Sequence, residues 1–307
     1  MKISVLIITR NRAASLEQCL QSLAKQTLLP YEVVVVDNGS SDNTWHVCES
    51  FSDKLNLGLV VEKRVGIPYA RNKGIAFAKG DVLAFIDDDC LANKKWLKSI
   101  FKHFSKYNEG VGVLGKSFPL SKTNRYQMVE YVYYLRWLRY NVKNVNATSL
   151  INNGVVVDFK NAAFLRKFVD KFQFSARVPF GDVGNEDVEV GVRLFESNKK
   201  IYFDPSIQVS HEYSSSLVRL IARNFWQGYS DQILKNNFAI DLKISSDEKS
   251  IRDWMYDLKE LLKKLRISDK VLFLLLVLIY PLFSRLGRSS ANISNLLKLE
   301  VKMPARA

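Results

Sequence analysis

Short runs of β-branched and aliphatic residues alternate with helical stripes over residues 3–86, and that alternation restricts the fold more than any other feature of the chain. ISVLII (3–8) reads as a buried strand. It is followed by Leu16, Cys19, Leu20, Leu23 and Ala24, spaced for one face of a helix. YEVVVV (31–36) is a second strand, 42–52 a helix, Leu57–Val61 a third strand, and VLAFI (82–86) a fourth. Between the last two, Gly66-Ile67-Pro68 opens a helix that Gly80-Asp81 ends. Strands separated by single helices must pair in parallel, which predicts an α/β fold with a mostly parallel, Rossmann-like central sheet. In such sheets ligands bind at the carboxyl ends of the strands. Thr9-Arg10-Asn11, Asp37-Asn38 and Asp87-Asp88-Asp89 all fall just past strand ends.

Composition excludes other classes. With 307 residues, 47% hydrophobic and 25% charged, the chain is neither disordered, collagen-like nor coiled-coil. Its net charge of +14 predicts an anionic partner: nucleic acid, an anionic membrane, or a phosphorylated small molecule. Cys19, Cys48 and Cys90 are odd in number and scattered, so neither a disulfide framework nor a metal knuckle is implied. The six-residue apolar run before Arg10 is too short for a signal peptide, and a cytoplasmic location is expected.

Three successive carboxylates, Asp87, Asp88 and Asp89, repel one another and need a cation to share. Their hard oxygens suit Mg2+ or Mn2+ beside a diphosphate. Asp37 could accept from a base N–H or a ribose hydroxyl, or merely close an Asx-turn. Arg71, in Ala70-Arg71-Asn72-Lys73-Gly74, could clamp phosphate or lie on the surface. Gly184-Asn185-Glu186-Asp187-Val188-Glu189 begins a helix, where acidic residues either cap the first turn or supply a base. His211, after the strand-like IQVS, is a candidate metal ligand.

Taken in order, ISVLIITRNR, LEQCLQSLAKQ, VVVVDNGSSDNT, VGIPYARNKGIAFAKGDVLAFIDDD, and NAAFLR followed by GNEDVEVGVRL resemble the family 2 glycosyltransferases of GT-A fold, in particular membrane-associated bacterial members. The resemblance covers residues 1–212 and implies inverting transfer of a sugar from a nucleotide diphosphate sugar to an acceptor hydroxyl. By motif it implies that Thr9 lines the nucleotide pocket, that Asp37 contacts the base, and that Arg71 lies near the base or diphosphate. It further implies that Asp87 and Asp88 approach the ribose, that Asp89 and His211 hold Mn2+ or Mg2+, and that Asp187 is the base. Many members carry Pro-Thr-Tyr after the first strand. Here the stretch is Ile8-Thr9-Arg10, so stacking on the base passes to the Arg10 guanidinium or another group; a UDP-sugar is the favoured donor. A nucleotidyltransferase would carry a glycine-rich loop after the first strand, and TRNRAAS has no glycine. A binding protein that kept the fold without catalysis is the other alternative.

A second region, 213–307, reads as helical and basic. Its apolar run VLFLLLVLIYPLF (271–283) is 13 residues, short of the ~20 that span a bilayer, and Pro281 interrupts it. The preceding stretch sets Leu258, Leu261, Leu262 and Leu265 against Lys259, Lys263, Lys264 and Arg266. The run is either a helix of the core or one lying in a membrane interface, and the basic amphipathic lead favours the interface. Residues 259–288 carry a net charge of +5, so much of the excess is directed to an anionic membrane surface rather than to nucleic acid. The expected setting is therefore the inner face of the cell membrane, with a saccharide or lipid-linked acceptor.

Overall fold

A computed structural model describes residues 1–120, 124–151, 157–171, 173–174, 186–213, 216–238, 248–265 and 267–296. In chain order the elements are β1 (Ile3–Thr9), α1 (Ala13–Ala24), β2 (Glu32–Asp37), α2 (Thr44–Glu49), β3 (Leu57–Val61), α3 (Ile67–Phe77), β4 (Val82–Ile86), β5 (Cys90–Ala92) and α4 (Trp96–Lys106). There follow β6 (Gly112–Pro119), α5 (Arg125–Asn141), β7 (Ser149–Leu150), β8 (Asn161–Leu165), α6 (Arg166–Val169), α7 (Glu186–Glu196), β9 (Ile201–His211), α8 (Leu217–Phe238), α9 (Glu248–Lys264) and α10 (Ile267–Leu296). These form two compact units, the strands with α1–α4, α6 and α7 in one, and α5 with α8–α10 in the other.

The first unit is a nine-stranded sheet in the order β3-β2-β1-β4-β8-β6-β9-β5, with β7 paired to β9. The expected parallel pairing holds from β3 to β4, where Thr9 lies opposite Asp37 and Val5 opposite Ala84. Beyond β4 the pairing turns antiparallel: β8 against β4 and β6, and β9 against β5 and β7. β4 runs through a tight acidic turn into β5, which lies at the far edge of the sheet against β9, so the place beside β4 is taken by the later strand β8, running antiparallel. The core lies between this sheet and its helices, with Leu16, Leu20 and Leu23 of α1 and Trp96, Leu97 and Ile100 of α4 fully buried against Val5, Ile7, Val33 and Val35.

Two close approaches set the packing. Gly74 of α3 sits against Leu6 and Val36, where a Cβ would collide with both side chains. Gly115 of β6 faces the Asn161 amide and the Ile207 carbonyl. Asn161 is itself fully buried and satisfied: its Oδ1 accepts from Trp96 Nε1 (2.9 Å), and its Nδ2 donates to the carbonyls of Lys116 (3.2 Å) and Ile207 (3.1 Å).

In the second unit α5 starts with a reciprocal capping box between Asn124 and Gln127. Arg139 of α5 makes a bidentate pair with Asp257 of α9, and Tyr133 donates to the Val277 carbonyl of α10 (2.6 Å). α8 and α10 cross at Gly228 and Gly287, where a Cβ on either would meet the other helix's backbone. The apolar run at 271–283 does not end at Pro281. It continues as one helix, and Asp269–Asn292 is long and apolar enough by composition to cross a membrane. Phe273, Leu276, Val277 and Tyr280 are buried, whereas Val271, Leu275, Leu278, Leu282 and Leu286 are exposed, Leu278 at 74%. Leu258 and Leu261 of α9 are likewise buried; Arg266 lies outside the described residues.

Candidate active site

The loops that follow β1, β2 and β4 are stitched together at the carboxyl ends of the parallel strands. Asn11 takes a left-handed conformation (φ 52°), which Asn tolerates better than most residues. Its backbone N–H donates to Ser40 Oγ (2.9 Å), and its Oδ1 accepts from Ser41 N–H (2.7 Å). Asp42 reaches back to accept from Ala13 N–H (2.9 Å). Asp37 closes the turn after β2 by accepting from Ser40 N–H (2.8 Å). Next to it, Asn38 is buried; it donates to the carbonyls of Glu62 (3.0 Å) and Arg64 (2.8 Å) and accepts from Gly66 N–H (2.8 Å). Gly66, at φ 142°, is in a region that only glycine enters readily, and it sets the start of α3.

The acidic triplet lies in the middle of this ring and is not left to itself. Thr9 donates to Asp88 Oδ2 (2.8 Å). The Arg12 guanidinium bridges two carboxylates, 3.1 Å from Asp88 Oδ1 and 3.0 Å from Asp89 Oδ2. The sequence expectation that three carboxylates need an added cation is therefore incomplete, because Arg12 already answers two of them. Burial pushes Asp88 up to about 7, with Arg12 and the Thr9 hydroxyl pulling against it and Asp89 and Asp87 adding to it. Burial works against the Arg12 charge, yet the surrounding carboxylates hold its pKa above the ordinary value. Asp87 contributes its carbonyl, which accepts from Cys90 N–H (3.1 Å).

Asp89 divides its two oxygens. Oδ2 is held by Arg12, while Oδ1 lies 3.4 Å from His211 Nε2. His211 arrives from far along the chain because β5 and β9 pair antiparallel, with Cys90 opposite His211. Ligand atoms of Asp89, Cys90 and His211 lie within 4.8 Å of one another. A carboxylate and an imidazole so close, one oxygen already oriented by a guanidinium, make a donor set that fits a divalent cation. Asp89 and His211 would hold it.

Arg71 is buried, its guanidinium 4.8 Å from the ring centre of Phe159 and 5.2 Å from that of Phe174. Asn72 beside it clamps the backbone of Phe174, donating to the carbonyl (2.9 Å) and accepting from the N–H (2.8 Å). Val190 and Leu194 of α7 line the same small cavity as Phe159 and Phe174. One aromatic cluster thus positions both Arg71 and the helix that carries Asp187. Asp187 is half-buried in the first turn of α7, with Oδ1 accepting from Val188 N–H (2.8 Å). Gly184 and Asn185 of the same motif lie outside the described residues. Arg10 follows β1, and its Nε and Nη1 are buried with no hydrogen-bond partner among the described residues.

Sequence reasoning missed Arg12, Cys90, Phe159 and Lys160. Lys160 immediately precedes Asn161, which pairs with Ile86 next to the triplet, and its Nζ is 2.6 Å from Asp158 Oδ1. Arg12 stood in the TRNR stretch beside Arg10, where the proximity of two strand ends could have singled it out. The other three depend on antiparallel neighbours that no local spacing reveals.

Comparison with known proteins identifies the family and the fold. A family model described as "Glycosyl transferase family 2" matches residues 4–172, more than half of the chain. The chain is 27% identical over 252 residues to a glucosyl-dolichyl phosphate glucuronosyltransferase of Haloferax volcanii, covering 76% of this chain and 77% of that protein. It is 40% identical over 127 residues to glycosyltransferase AglE of the same organism, covering 40% of this chain and 41% of that protein. Its fold is similar to that of a mannosyltransferase from Pyrobaculum calidifontis solved with GDP-Man and Mn2+, with a TM-score of 0.60 at 17% identity over 97% of this chain and 88% of that one. A GT-A sheet, with its acidic turn in place after β4 and a family match running through β1 to β8, makes this chain a transferase enzyme, a member of the family 2 glycosyltransferases.

Proposed function

We propose that the protein is a metal-dependent, inverting glycosyltransferase that moves a sugar from a nucleotide diphosphate sugar, a UDP-sugar in the first instance, to a lipid-linked saccharide. The observation that carries this reading is the linked set Thr9–Asp88–Arg12–Asp89–His211 at the carboxyl ends of parallel strands. In that position the donor's base and ribose lie along the β1, β2 and β4 ends, against Thr9, Asp37, Asp87 and Asp88. The buried Arg10 nitrogens, which have no hydrogen-bond partner among the described residues, are suited to a base carbonyl or phosphate oxygen. Arg71, held over Phe159 and Phe174, adds positive charge toward the diphosphate. Bound by Asp89 and His211, Mn2+ or Mg2+ would supply the charge that stabilises a leaving diphosphate.

Asp187 takes the proton from the acceptor hydroxyl as its oxygen forms a bond to the anomeric carbon, on the face opposite the departing diphosphate. One displacement inverts the configuration, so no nucleophile of the enzyme is needed.

For the acceptor and location, support comes from α10. Its exposed face of Val271, Leu275, Leu278, Leu282 and Leu286 is too apolar for water, and the preceding helix α9 carries exposed Lys259 and Lys263. The dolichyl-linked substrate in the name of the Haloferax relative points the same way. The cytoplasmic, membrane-facing enzyme so described would act in assembling cell-surface glycolipid or polysaccharide.

Calorimetric titration with UDP-, GDP- and dTDP-sugars, with and without Mn2+, tests the donor site. The expected result is Mn2+-enhanced binding of one nucleotide class, weakened tenfold or more in Arg10→Ala. Absence of binding by every donor overturns the reading.

A further inference from the structure

We propose that Cys90 is a third protein ligand at the cation site, so that the set Asp89–Cys90–His211 binds thiophilic divalent ions, Zn2+ or Cd2+, in preference to Mg2+. The inference rests on the reading of Asp89 and His211 as cation ligands and adds a residue that the sequence pattern does not mark. Strand pairing carries it. Cys90 and His211 are direct antiparallel partners on β5 and β9, so their side chains leave the same face of the sheet. Asp89 immediately precedes β5 and turns Oδ1 to both: 3.9 Å from Cys90 Sγ and 3.4 Å from His211 Nε2. Ligand bonds of about 2.0–2.3 Å to one tetrahedral ion place donor atoms roughly 3.3–3.8 Å apart. The observed separations, 3.4 and 3.9 Å from Asp89 Oδ1 and none above 4.8 Å, close on one ion with shifts of up to about 1 Å.

The three residues are enclosed rather than set in a solvated turn. Cys90 is fully buried, and His211 is 3% exposed. The Arg12 guanidinium holds the other oxygen of Asp89, which fixes the direction of Oδ1 as an outer partner does for a ligating carboxylate. Three protein donors leave a coordination position for solvent or a donor phosphate. A sulfur in the set changes the order of preference, because thiolate favours zinc and cadmium whereas magnesium takes oxygen. The thiol gives its proton to the buffer as the sulfur–metal bond forms.

The test uses the full, metal-stripped chain titrated with Cd2+ and followed by ultraviolet absorbance. We expect a sulfur-to-cadmium charge-transfer band that saturates at one ion per chain, persists in Cys19→Ser and Cys48→Ser, and is lost in Cys90→Ser. Equilibrium dialysis should show Zn2+ affinity falling at least about tenfold in Cys90→Ser while Mn2+ affinity changes far less. Should that variant fail to fold, zinc-edge X-ray absorption of the wild-type protein decides, with one sulfur in the first shell expected and an all-nitrogen and oxygen shell overturning the proposal. A band that survives in Cys90→Ser, or Cd2+ binding without a band, also overturns it. If the wild-type protein binds neither Mn2+ nor Zn2+, the underlying reading of Asp89 and His211 fails as well, whereas Mn2+ binding without sulfur ligation removes Cys90 alone.

Discussion

Asp204 and His103 show how a single buried pair ties stability to pH. His103 Nδ1 and Asp204 Oδ2 are 2.9 Å apart, with His103 almost wholly buried on α4. Burial alone would raise the Asp204 carboxyl, but the His103 hydrogen bond and the Ser206 N–H hold it below its usual range. A carboxyl depressed by folding contributes its full stabilisation above the unfolded value near 3.9, and loses it as pH falls through the folded value. Asp204→Asn should therefore lower the urea-unfolding free energy by about 1–3 kcal/mol at pH 7, with the gap to wild type narrowing below pH 4. An equal gap at pH 7 and pH 3 would show that the ionised carboxylate is not what matters. At this scale the site was legible where residue type and strand end coincide: Thr9, Asp37, Asp88 and Asp89 stand where their positions in the sequence put them. Arg12 was not, because a cation one residue past a loop asparagine has no fixed partner until Asn11 turns the chain.

Among elements, the parallel half of the sheet could be read from sequence and the antiparallel half could not. β1, β2 and β4 are almost uninterrupted runs of Val, Ile and Leu, as strands buried on both faces must be. β5 has three residues and β7 two, too short for any periodicity, and β6 is broken by Gly112, Gly115 and Lys116. Their order follows from tertiary fit instead. Gly115 is the clearest case, since the Asn161 amide, held by Trp96, and the Ile207 carbonyl meet where its side chain would be. Gly115→Ala should cost about 1–3 kcal/mol through overpacking, read as a lower thermal midpoint with the family fold's circular dichroism retained below it. An unchanged midpoint would mean that the Asn161 junction is looser than its hydrogen bonds indicate. The same antiparallel pairing brings His211 and Cys90 to Asp89, so the proposed part of Cys90 was hidden for the same reason.

For the whole molecule, the charge of +14 resolves into local roles. Arg12 is spent on Asp88 and Asp89, and Arg139 on Asp257, while exposed Lys259 and Lys263 lie in the same region of the sequence as the apolar face of α10. The 13-residue run promised a core helix or an interfacial stretch; it is part of a 30-residue helix that continues through Pro281. Since Phe273, Leu276, Val277 and Tyr280 of that helix are buried, deleting it would expose its packing partners. Substituting the exposed face is the cleaner test. Leu275→Asp with Leu278→Asp and Leu282→Asp should abolish flotation with phosphatidylglycerol vesicles at unchanged thermal stability, and wild-type flotation should weaken with salt. Flotation equal to wild type would refute the membrane-facing role of α10.

Sugar transfer with Asp187 as the base can be followed by nucleoside diphosphate release from UDP-, GDP- and dTDP-sugars in the presence of Mn2+ and a lipid-saccharide extract, comparing wild type with Asp187→Asn. The expected result is acceptor-dependent release from one donor class, a loss of ~10²–10⁴-fold in kcat for Asp187→Asn, and donor binding within a few-fold of wild type in that variant. Transfer by Asp187→Asn at the wild-type rate, or no release from any donor by the wild-type enzyme, would contradict it.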